Sequence, residues 1–303
     1  MSYTGPEFDP PQQRRSRRAP LAVGLAALVP GALLGWVVYE GVGKPGGSGG
    51  GGQAGAATPR SAGVTPSDDA KVPSPSAVPS LKGKVVVIDP GHNPGNFQHT
   101  SEINQKVNIG TNWKECDTTG TSTNAGYSEA RFTLDVAHRL RALLEKQGAT
   151  VRLTHDGDRP AWGPCVTKRA EIGNDAHADA AISIHADGAP EGDRGFHVIL
   201  PASVHSGAAD TRPIVASSRT LGERIESDFA KVTGSAPSNY VGNGTGLDVR
   251  KDLGGLNLST VPKVFIECGN MRDSKDAALL TSGAWRQKAA QGISEGIVSF
   301  LRG

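Results

Sequence analysis

The chain has 303 residues and sets 32 Lys and Arg against 30 Asp and Glu, a net charge of +2. Four of the cations cluster at Arg14, Arg15, Arg17 and Arg18, so the rest is close to neutral and carries no nucleic-acid footprint. The length allows one large domain or two small ones.

The amino-terminal 20 residues are polar and basic. Residues 21–39, LAVGLAALVPGALLGWVVY, contain no charge and at helical rise span roughly 28 Å, close to a bilayer's hydrocarbon core. The arginines on one flank, with Trp36 and Tyr39 at the other end, predict a membrane anchor over residues 21–40 with its amino terminus in the cytoplasm. The alternative is a cleaved signal segment and secretion, but no clear small-x-small cleavage site follows closely. Residues 41–80 open with GVGKPGGSGGGG and close with VPSPSAVPS, too little apolar mass to fold, and predict a disordered linker. Residues 81–303 are then expected to form one extracytoplasmic, monomeric domain.

Within that domain, KVVVID (84–89) is a continuous apolar run, as in a strand covered on both faces. Residues 93–126 follow as a long polar segment without periodicity, read as a surface loop or a lid. Residues 129–146 place Phe132, Leu134, Val136, Ala137, Leu140, Leu143 and Leu144 near helical spacing and stop before Gly148. TVRLT (150–154) and AAISIH (180–185) predict strands with a helix at about 166–177 between them. GFHVILP (195–201), GLDVR (246–250) and VPKVFIEC (261–268) predict further strands, and 213–231 and 285–302 predict helices. This alternation predicts an α/β fold with a mostly parallel central sheet flanked by helices.

Four side chains fall where such a sheet binds ligands. His92 follows the first strand, His185 closes AAISIH, Glu267 ends VPKVFIEC, and Glu129 opens the helix at 129–146. The carboxyl ends of parallel strands share one edge, and ligands bind in the crevice outside it. Two imidazoles and a carboxylate form the ligand set of a catalytic zinc with one position left open. A fourth group, Glu267, supplies the base that hydrolysis needs.

IDPGHNPG, SEARFTLDVAHRLRALLEKQGATVRLT, KRAEIGNDAHADAAISIHADG and VPKVFIECGNMRD resemble successive motifs of the zinc-dependent N-acetylmuramoyl-L-alanine amidases of the amidase_3 family, over residues 84–303. The resemblance implies one Zn²⁺ held by His92, Glu129 and His185, with Glu267 as catalytic base. It implies hydrolysis of the peptidoglycan amide between N-acetylmuramic acid and L-alanine, releasing a stem peptide. The chain departs from the family at His155, where an arginine usually follows Leu-Thr, and at Cys268-Gly269-Asn270-Met271, in place of a Gly-Phe pair; the latter form looks actinobacterial. A non-catalytic peptidoglycan-binding module and a zinc peptidase acting within the stem peptide are the rival readings.

The remaining polar candidates read as ordinary. His155, His177, His197 and His205 have no carboxylate that the sequence can place beside them and are expected to be surface or structural. Arg169 is expected to pair within the fold. His99 and Glu102 lie in the long segment, where a closed state could bring them to the metal. Strand alternation turns Cys268 away from Glu267 and into the helix layer, leaving Cys116 and Cys165 as the expected disulfide.

Overall fold

The computed structural model describes residues 81–303 apart from Asp158. The expected anchor (21–40) and linker (41–80) lie outside the described residues. Among the described residues, no helix is long and apolar enough to cross a membrane.

Strand β1 (Val85–Pro90) is followed by an insertion with a short helix α1 (Thr100–Ile103) and a hairpin of β2 (Lys106–Asn108) and β3 (Trp113–Glu115). Then come α2 (Glu129–Lys146), β4 (Thr150–Leu153), α3 (Val166–Asp175), β5 (Ala180–Asp187) and β6 (His197–Pro201). A two-residue hairpin, β7 (His205–Ser206) and β8 (Ala209–Asp210), leads to α4 (Val215–Thr233), β9 (Leu247–Arg250) and α5 (Gly254–Asn257). The chain closes with β10 (Lys263–Asn270), α6 (Ser274–Leu280) and α7 (Gly283–Arg302).

Six strands form the sheet in the order β4-β1-β5-β10-β6-β9. The first four are mutually parallel, whereas β6 runs antiparallel to β10 and β9 follows β6. The expected mostly parallel sheet is therefore present, with its last two strands reversed. His185 and Glu267, on the adjacent parallel strands β5 and β10, are register partners.

The alternation of each strand divides the core into two unequal layers. Val86, Ile88, Ile182, Ile184, Val198, Val264 and Ile266 meet Phe132, Val136 and Leu140 of α2, Leu221 and Phe229 of α4, and Ile293 and Ile297 of α7. The larger layer follows from three long amphipathic helices sharing one sheet face. On the opposite face, Val87 and Ala181 pack with Ile172 of α3, and Ile199 and Phe265 pack with Leu256 of α5. Cys268 belongs to the large layer and is a buried free thiol, as its place in the strand alternation demands.

The insertion is built more firmly than a passive loop. Cys116 and Cys165 form a disulfide across 49 residues of sequence. Beside it, the Val166 amide donates to the Cys116 carbonyl at 2.7 Å. Asn96 donates to Asp117 Oδ2 at 3.0 Å and accepts from the Gly163 amide at 2.8 Å. The segment lacks helical or strand periodicity because these tertiary contacts, and not an apolar stripe, hold it.

Candidate metal centre and active site

The backbone turn after β1 carries His92 over the edge of the sheet. His92 adopts φ +62°, the left-handed region that few non-glycine residues enter. Gly91 precedes it because a Cβ there would lie 2.3 Å from His185 Cε1. The two imidazoles therefore approach edge to face, with ring centroids 5.0 Å apart. His185 stacks on Phe265 of β10, their centroids 5.3 Å apart and their planes 2° from parallel.

Glu129, the first residue of α2, enters from the other layer and bridges both rings. Its Oε2 lies 3.1 Å from His92 Nε2 and its Oε1 lies 2.9 Å from His185 Nδ1. Ligand atoms of all three residues fall within 4.8 Å of one another. The amide of Thr121 donates to Glu129 Oε2 at 2.9 Å and that of Ala186 to Oε1 at 3.2 Å, so each oxygen is oriented from outside. His92 Nδ1 donates to the Thr118 carbonyl at 3.1 Å, which turns Nε2 inward toward Glu129.

Electrostatics favour a cation at this point. Burial opposes the His92 imidazolium, but the Glu129 carboxylate, with Asp117 behind it, raises it to about 9. Against its own burial, Glu129 is held well below the usual carboxylate range by His92 and His185. A carboxylate bridging two imidazoles matches the nitrogen and oxygen donors zinc takes.

Glu267 lies next to this triad but is not part of it. It is half-buried, and its buried Oε2 has no hydrogen-bond partner. Burial, then the negative charges of Asp187 and Glu129, push its carboxyl well above the usual range, opposed by Arg250. Such a shift is what a general acid–base requires, whereas a structural carboxylate is normally paired. Asp187 accepts from the Tyr240 hydroxyl at 2.9 Å. Asp187, Tyr240 and Phe265 are neighbours that sequence reasoning missed, since only the end of β5, a loop and the odd face of β10 bring them here.

A cavity of about 250 Å³ opens beside the triad, between Lys114, Glu115, Asp117 and Thr118 of the insertion and Asp252–Gly255 before and within α5. Below it, Arg169 is 4 % exposed and donates to Asp89 Oδ1 and Asp117 Oδ2, each at 2.8 Å. Lys263 Nζ donates to Asp89 Oδ2 at 3.2 Å. Asp89 thereby ties β1, α3 and β10 together beneath the site, and Arg169 pairs within the fold as expected.

The other candidates separate clearly. His99 and Glu102 contact each other at 3.3 Å and are not in the metal-ligand cluster. His155 is buried and its Nε2 donates to the Pro90 carbonyl at 2.9 Å, while His197 is buried edge-on to Tyr240. His177 and His205 are exposed.

Residues 86–299 match the family model Amidase_3, N-acetylmuramoyl-L-alanine amidase. The chain is 40 % identical over 232 residues to the N-acetylmuramoyl-L-alanine amidase Rv3717 of Mycobacterium tuberculosis, covering 76 % of this chain and 92 % of that one. The crystal structure of the N-acetylmuramyl-L-alanine amidase Ami1 from Mycobacterium smegmatis superposes with a TM-score of 0.67 at 38 % identity, covering 74 % of this chain and 99 % of the other. Apo Ami1 from Mycobacterium abscessus gives a TM-score of 0.65 at 40 % identity, with 73 % and 99 % covered. With that match across the folded residues and a His-Glu-His cluster at the sheet edge, the chain belongs to the N-acetylmuramoyl-L-alanine amidases, hydrolases of cell-wall peptidoglycan.

Proposed function

We propose that this amidase cleaves the bond between N-acetylmuramic acid and L-alanine with one zinc ion held by His92, Glu129 and His185, and with Glu267 as general base. The observation that carries the reading is the register of β5 and β10, which sets Glu267 beside His185 while leaving it outside the ligand cluster. With His92, Glu129 and His185 as its ligands, zinc would supply Lewis-acid polarisation of the scissile carbonyl and of water. Burial and the charges of Asp187 and Glu129 raise the Glu267 carboxyl, and positive charge at the triad would oppose that rise by offsetting Glu129. The Glu267 carboxylate then takes the proton of the attacking water and returns it to the amine of L-alanine as the amide bond breaks. Thr118, Thr121 and Ala186 keep His92 and Glu129 in place during that exchange.

The uncharged run at residues 21–39 beside the arginine cluster supports a position at the outer face of the cytoplasmic membrane, with residues 41–80 as a tether into the wall. The full chain, incubated with purified disaccharide-peptide, is expected to release peptides with new L-alanine amino termini and to lose that activity on chelation. Cleavage inside the stem peptide would identify a peptidase, and binding without release would identify a wall-binding module.

A further inference from the structure

Among the described residues, the large hydrophobic side chains left exposed are Phe97, Trp113 and Val249. Trp113 is 64 % exposed, although a tryptophan contributes most when its rings are covered. It is not the tip of a mobile loop. The hairpin that carries it is pinned at its turn, where Thr111 Oγ1 donates to the Lys251 carbonyl at 3.1 Å and Asn257 donates to Thr111 Oγ1 at 3.1 Å. Ile109 is buried, Lys114 faces Asp252 at 3.8 Å, and the Cys116–Cys165 disulfide holds the hairpin's base. A hairpin held in this way presents the indole from a preorganised backbone, which lowers the ordering cost of whatever it binds.

Its position says what that is. The next two residues, Lys114 and Glu115, line the catalytic cleft together with His92 and His185. Trp113 lies on β3 two residues before Glu115, so strand alternation sets it on the same strand face as that cleft-wall residue. Of a peptidoglycan strand only the lactyl–alanine amide must reach the triad, so the sugars on either side have to pass over a rim. A hexopyranose with equatorial hydroxyls presents a face of ring C–H bonds that is apolar and flat, and an indole covers it without leaving a polar group unpaired. Val249, also exposed, lies on β9 just before Arg250–Asp252, the segment that the hairpin contacts. We infer that Trp113 is a glycan platform: it stacks on a sugar of the uncleaved strand next to the N-acetylmuramic acid whose amide is cut. The inference rests on the amidase reading above and adds to it a subsite for glycan length.

The test uses the full chain with zinc and two substrates, a single disaccharide-peptide and the same peptide on glycan of six or so sugars. In the wild type the longer substrate has the higher kcat/KM. In Trp113→Ala the ratio of long to short is expected to fall about fivefold to tenfold, through KM, as for loss of one aromatic stacking contact. Trp113→Phe restores most of it, and Phe97→Ala, equally exposed but with no neighbour in the cleft wall, keeps the wild-type ratio. Peptide-free glycan strands should change the tryptophan fluorescence of the wild type, and Trp113→Ala should abolish most of that change. An unaltered ratio in Trp113→Ala, or the same fall in Phe97→Ala, overturns the platform. If the wild type cuts neither substrate, the amidase mechanism fails instead, and the fluorescence titration still decides whether Trp113 binds glycan.

Discussion

At the scale of single residues, the two glutamates at the site look alike in sequence and differ in what surrounds them. Glu129 has both oxygens committed to imidazoles and backbone amides, whereas Glu267 keeps an unpartnered Oε2. Glu267→Gln preserves shape but removes proton transfer, so metal content and thermal stability should stay near wild type while turnover falls about 10² to 10⁴-fold. Glu129→Gln replaces a ligand with a poor one, and metal content should fall together with activity. Metal analysis on the samples used for kinetics checks both, and the reverse pattern would exchange the two roles. The placement of His92 and Glu267 at strand ends was legible from the apolar runs before them. The flanking Thr118, Thr121, Asp187 and Tyr240 were not, because a residue in a loop or at a strand end carries no periodic signal of what it touches.

At the scale of elements, the 93–126 insertion decides how tightly the triad is held. It supplies the Thr118 carbonyl to His92 and the Thr121 amide to Glu129, and its hairpin walls the cleft. The Cys116–Cys165 link closes a loop of 49 residues, for which chain entropy gives about 4 kcal/mol. Reduction, or a Cys116→Ser, Cys165→Ser double variant, should therefore accelerate amide hydrogen exchange in residues 93–126 first. Zinc affinity should weaken with it, while the β1, β5 and β10 amides keep their protection because the sheet has its own packed layers. Equal acceleration in the sheet and the insertion would show that the bridge supports the whole fold. The helices at 129–146 and 285–302 were legible from apolar spacing. The reversal of β6 and β9 was not, since a buried strand has the same pattern in either direction.

At the scale of the whole molecule, buried titratable groups beneath the site set the response to acid. His155 is 3 % exposed, and burial, then the charge of Arg169, depresses it to about 4. The unfolded chain takes up this proton below about 6.5 and the folded chain only below about 4, so stability falls between those values as pH is lowered, by about 3 kcal/mol in all. Asp89 acts in a lower window. Despite burial, Lys263 and Arg169 hold its carboxyl well below the ordinary range, so its contribution is present above about 4 and is lost only on stronger acidification. His155→Gln retains an amide donor for the Pro90 carbonyl and should flatten the upper part of the acid limb. Denaturant unfolding from pH 7 to pH 4 checks this; an unchanged slope would mean that His155 is protonated in the folded state.

The sequence by itself determined the α/β alternation, the strand ends that bear His92, His185 and Glu267, the helix start at Glu129 and, through strand alternation, the disulfide partners. Each of these depends on period, chain order or chemical type, which are properties of a line of residues. Tertiary structure decided which carboxylate bridges the imidazoles and which stays unpaired. It also decided that Arg169 and Lys263 converge on Asp89, and that the aperiodic insertion forms one wall of the cleft while leaving Trp113 exposed on β3. Those outcomes depend on contacts between segments far apart in the chain, fixed by packing, a covalent bridge and the burial of charge.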